Sequence, residues 1–161
     1  MADDYLAARD RAKQYFNSAS HLLKVTFPVV KDPKLLLGVI HHLHLSMEQC
    51  LEAILSHDQQ LQLVPKSLDT FQAKIAAFRH KSCRRHNIPI ELLNALVSLK
   101  EIVDLQQRST MQFPRGPRFV LSTSDYRFKA ISVADVQKYS QQAEQLIAVT
   151  DQVLSRYFNR K

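Results

Sequence analysis

Only two glycines, Gly38 and Gly116, occur among 161 residues, and this scarcity restricts the chain more than any other feature. Tight hairpin turns draw on glycine at positive φ, so a β-rich fold with many such turns is disfavoured. Walker-type phosphate loops and dinucleotide fingerprints need several glycines at fixed spacing, and neither fits. With 45% apolar and 23% charged residues, the chain reads as a globular protein rather than a disordered one. Its length suits a single domain over 1–161, long enough to bury a core without staples.

Helix is what remains, and the apolar spacing supplies it. Tyr5, Ala8, Ala12, Tyr15, Ala19 and Leu22 recur at steps of three and four, the stripe of an amphipathic helix starting after Asp3 or Asp4. Pro28 and Pro33 are expected to bracket a connection. Asp32-Pro33 is a restart signal, an N-cap followed by a residue preorganised for the first turn. The second helix then runs to about Gln60 on Leu36, Ile40, Leu43, Met47, Leu51 and Ile54 and is expected to be the most buried. Ser67 is the expected cap of a third helix with Leu68, Phe71, Ile75 and Phe78 inside. A fourth starts at Asn87-Ile88-Pro89 and carries Leu92, Leu96, Leu99 and Val103 to about Thr110.

Two prolines and a glycine between Met111 and Ile131 forbid a continuous helix. The pieces Arg118-Phe119-Val120-Leu121 and Tyr126-Arg127-Phe128-Lys129 flank Ser122–Asp125 as a short hairpin would, and an irregular loop is the alternative. Interleaved cations and aromatics make this segment a candidate binding element. Ser132 and Asp135 resemble a capping box for a last helix on Val136, Tyr139, Ala143, Leu146, Val149 and Val153. The expected fold is all-α, an antiparallel bundle of about five helices with a hairpin or loop before the last.

Cys50 and Cys83 cannot build a disulfide framework, and the start of the chain does not resemble a signal peptide, so a reduced, cytoplasmic protein is expected. Both thiols are expected to be buried as small hydrophobes. The cations around Cys83 could also lower its pKa and give it some reactivity. No cofactor is expected.

The net charge of +7 is unevenly spread. Residues 61–90 hold six basic and one acidic side chains, most of the excess. Arg79, Lys81, Arg84 and Arg85, with Arg108, Arg115 and Arg118 further on, are therefore candidates for phosphate contact, against the plainer reading of a solvated surface or helix-end cations. Chemistry is thinner. His41, His44 and Glu48 share one side of the second helix, but metal ligation needs donors from facing helices and no second Glu-x-x-His occurs, so no metal is expected. A Gly-x-Ser-x-Gly elbow is absent.

The opening Tyr5-Leu6-Ala7-Ala8-Arg9 through Tyr15-Phe16, the pattern His42-x-x-x-Ser46-x-Glu48-x-x-Leu51-Glu52-Ala53-Ile54-Leu55, and Arg108 at the end of the fourth helix resemble the HEPN superfamily (higher eukaryotes and prokaryotes nucleotide-binding). The resemblance follows helix order over nearly the whole chain. Such proteins are often ribonucleases of toxin–antitoxin, antiviral and RNA-processing systems. They commonly dimerise to bring two Arg-x(4–6)-His motifs into one cleft. Others bind RNA or a partner protein without cleaving, and some pair with a small nucleotidyltransferase. Here Phe113, Pro114 and Arg115 occupy the positions of the motif's histidine, no histidine follows His86, and Glu52 replaces the family's lysine. The resemblance thus implies a homodimeric, catalytically degenerate binder of RNA or of a partner protein, and the wide apolar coverage of the second and fourth helices puts the expected dimer interface on one of them. The alternative is a divergent ribonuclease using Arg108, His42, His44 and Glu48; a structural interaction module is a third reading. No membrane partner is expected.

Overall fold

A computed structural model, which describes residues 2–158, with side chains from 4 to 156, has four helices, then a small antiparallel sheet, then a fifth helix. Helix α1 covers 2–30, α2 Leu35–Gln60, α3 71–86, α4 Ile90–Arg108 and α5 Val133–Phe158. Strands β1 (Met111–Arg115), β2 (Arg118–Ser122) and β3 (Phe128–Ile131) lie between α4 and α5 in the order β1-β2-β3. No helix among the described residues is long and apolar enough to cross a membrane.

The expected stripes are buried. Leu36, Ile40, Leu43, Met47, Leu51 and Ile54 of α2 are all at 1% exposure or less, and α1, α4 and α5 pack around them. The apolar coverage of α2 is thus spent inside the chain, which removes it as an argument for a dimer interface on that helix.

Several boundaries differ from expectation. Helix α1 begins at Ala2, ahead of Asp4, while the Asp3 side chain lies outside the described residues. It also continues through Pro28, because a π turn over Leu22–Thr26 precedes that proline and the Phe27 N–H reaches back to the Leu22 carbonyl. The connection is only 31–34, entered through Lys31 at φ 57°. Thr70, not Ser67, caps α3: its extended backbone lets Oγ1 accept the Ala73 N–H at 3.0 Å.

The segment after α4 gains a strand that the hairpin expectation lacked. Met111–Arg115 pairs with β2 from Met111↔Ser122 to Arg115↔Arg118, across Gly116 at φ 62°. Pro114 is tolerated because β1 is an edge strand, where a missing N–H costs nothing on the open side. The expected hairpin is β2–β3, from Phe119↔Ile131 to Ser122↔Phe128.

The reciprocal cap of α5 is formed, with Ser132 N–H donating to Asp135 Oδ2 at 3.1 Å and Asp135 N–H donating to Ser132 Oγ at 3.2 Å. Ser132→Ala is expected to cost about 1 kcal/mol in urea unfolding. A change below the measurement error would mean that α5 does not use this cap.

Candidate functional site

The C-terminal end of α4 and the sheet enclose an open cleft of about 480 Å³. Arg108, Arg127 and Lys129 bring positive charge to it, Glu101 and Asp104 bring negative charge, and Phe128, Tyr139, Ile102 and Leu105 form apolar wall. Above the cleft the β2–β3 turn is tied down locally. Thr123 N–H donates to the Arg127 carbonyl at 2.8 Å, Tyr126 N–H donates to the Thr123 carbonyl at 3.2 Å, and the Thr123 hydroxyl donates to Asp125. Within it Tyr126 is held at φ 65°, a conformation bulky side chains seldom adopt, with 93% of the residue exposed. Phe128 is 69% exposed. Phe119, by contrast, closes the core together with Leu121 and Ile131. The aromatics of this segment therefore divide into core and surface.

The basic candidates form two groups rather than one patch. Arg79, Lys81, Arg84 and Arg85 are exposed on the last turns of α3, beside the C-terminal end of α2 and just ahead of α4. Arg108, Arg115 and Arg118 are exposed beyond the far end of α4, whose 19 residues span about 28 Å.

The histidines proposed for a ribonuclease lie elsewhere. His42 directs Nδ1 to the Gly38 carbonyl at 2.8 Å and lines a groove with Asn17, Ser18, His21 and Leu22 of α1. His41 is exposed on another groove, with Lys34, Val103 and Gln106. His44 is buried. Its Nε2 lies 3.2 Å from Glu48 Oε2, but out of line for an N–H bond, so the ion-pair distance overstates the contact. Burial first, then Lys100 and His41, push its pKa down to about 4 against the opposing pull of Asp104. His44 is therefore a neutral imidazole at pH 7, poorly matched to proton transfer there. Glu48 is half-buried beside it. The Cys83 thiol is not activated: burial raises its pKa to about 11 despite Arg79, and burial raises that of Cys50 to about 12.

A second constellation was missed in the sequence. Asp58, fully buried near the end of α2, accepts the Ser82 hydroxyl on Oδ2 at 2.6 Å, His57 Nδ1–H on Oδ1 at 3.1 Å, and His86 Nε2–H at 2.9 and 3.1 Å. Burial opposes its ionisation, but the bonds from His57, His86 and Ser82 together outweigh it and hold the carboxyl well below the usual range. Tyr5 of α1 packs edge-on against the His57 ring at 5.5 Å. A π turn over Phe78–Ser82 sets the partners. Its extra residue rotates the last turn of α3, so that Ser82, Cys83 and His86 face inward while Lys81, Arg84 and Arg85 face solvent.

Comparison with protein-family models, with curated proteins and with solved structures finds no match for this chain.

Proposed function

We propose that the protein is a HEPN-like, antiparallel helical bundle that holds single-stranded RNA on its sheet edge and in the Arg108 cleft without cleaving it. The observation that carries this reading is the pair of exposed aromatics, Tyr126 and Phe128, on either side of Arg127 and beside Arg108 and Lys129. Aromatic faces stack on bases while neighbouring cations follow the phosphates, a combination suited to unpaired strands. Positive φ at a bulky, solvent-facing tyrosine costs energy that nothing in the core returns, which favours a role in contact. Retention rather than turnover fits a buried, neutral His44 and a His42 committed to the α1 side. The resemblance adds a homodimer and a small nucleotidyltransferase as partners.

The test is fluorescence anisotropy with a labelled single-stranded RNA at low salt. Tyr126→Ala and Phe128→Ala are each expected to weaken binding about tenfold, and Arg108→Ala to weaken it and flatten its salt dependence by about one unit of slope. Arg84→Ala with Arg85→Ala, at the other end of α4, is expected to leave it nearly unchanged. Loss of binding only in the α3 double variant would move the site to α3. No binding to RNA at all would leave the sheet edge to a protein partner.

A further inference from the structure

We propose that His57, Asp58 and His86 form a binding site for a divalent transition-metal ion of the Zn²⁺ type, joining the end of α2 to the end of α3. Their donor atoms lie within 4.8 Å of one another, the one such group of three or more His, Cys, Asp or Glu side chains among the described residues. Two imidazoles and a carboxylate are a borderline-soft donor set, suited to Zn²⁺ and unsuited to Mg²⁺ or Ca²⁺, which take oxygen shells.

The geometry is already close. Ligands about 2.1 Å from a tetrahedral ion stand roughly 3.4 Å apart, so the present separations of 2.9 and 3.1 Å from Asp58 Oδ1 would open by a few tenths of an ångström, while the two ring nitrogens, within 4.8 Å of each other, would draw toward the same spacing. On ligation the single hydrogen of each neutral ring would sit on the other nitrogen, Nε2 of His57 and Nδ1 of His86, freeing the lone pairs that now lie behind the hydrogen bonds to the carboxylate. The supporting contacts are in place. Ser82 holds the second carboxylate oxygen at 2.6 Å, and the edge of Tyr5 fixes the His57 ring. His86 is the least buried of the three, its side chain 9% exposed, and offers the way in. Three protein donors leave a fourth position for water. The clustered histidines of α2 do not compete, since His41, His42 and His44 face three different surroundings.

The experiment titrates Zn²⁺ into full-length protein previously stripped with chelator, using calorimetry and thermal melting. The expected result is one ion per chain and a higher melting temperature. His86→Ala is expected to reduce affinity at least tenfold, whereas His41→Ala with His42→Ala leaves it unchanged. Long-range ¹H–¹⁵N spectra of the wild-type imidazoles need no variant: Zn²⁺ should shift His57 Nδ1 and His86 Nε2 and leave His41, His42 and His80 in place. Absence of both binding and thermal stabilisation with Zn²⁺ at about 0.1 mM would overturn the proposal. So would an ion that shifts the other histidines, or affinity unaffected by His86→Ala.

Discussion

Asp58→Ala is expected to lower the unfolding free energy of the metal-free protein by about 3–5 kcal/mol, measured by urea denaturation in the presence of chelator. The carboxylate is the shared acceptor for Ser82, His57 and His86, and its removal leaves three donors facing a methyl group inside the protein. Small domains are stable by only about 5–15 kcal/mol, so the variant should stand near the edge of folding. Ser82→Ala, which removes one donor and keeps the acceptor, is expected to cost about 1 kcal/mol. A loss below 1 kcal/mol in Asp58→Ala would mean that the cluster relaxes or hydrates readily and does not tie α2 to α3.

The second large effect is on acid stability. His44 has its folded pKa held near 4, below the roughly 6.5 of an unfolded chain. Above pH 6.5 both states are neutral and the group contributes nothing to the pH dependence. As pH falls from 6.5 toward 4, the unfolded chain takes up a proton that the folded chain refuses, so stability declines. Between pH 7.5 and 5 the loss from this one residue should be about 2 kcal/mol. His44→Leu, which cannot titrate, should show a correspondingly flatter profile over that interval in urea unfolding. Equal slopes for the two proteins would place the folded pKa of His44 near its ordinary value. Asp58 acts at lower pH, because a depressed carboxyl withdraws its stabilisation as pH falls below the unfolded value of about 4.

The sequence was most legible where one local pattern sufficed. The stripe of α2 and the Ser132–Asp135 cap could be read residue by residue, since each depends on neighbours three or four positions away. Where two signals competed, the reading slipped. Pro28 looked like an ending, yet a π turn absorbs it; Ser67 looked like a cap, yet Thr70 takes the extended backbone. Strand β1 was hidden because Pro114 is a poor strand residue anywhere but on an edge. The Asp58 cluster was hidden by distance along the chain, with Ser82 and His86 lying 24 and 28 residues away. A signal existed. Asp58 continues the buried Leu51–Ile54 stripe at a spacing of four, and Ser82 and His86 continue Phe78 in the same way. A charge that falls on an apolar stripe asks for a partner that a second stripe can supply.

Viewed as chain length, the π turn of α3 amounts to a single surplus residue. Were the same residues wound as a regular α-helix, Lys81 and Arg85 would swing toward the place now taken by Ser82 and His86. The widened turn thus decides, with the sequence unchanged, whether the end of α3 turns its histidine or its arginine inward. It likewise decides how many of the four cations on those turns remain free to meet something else.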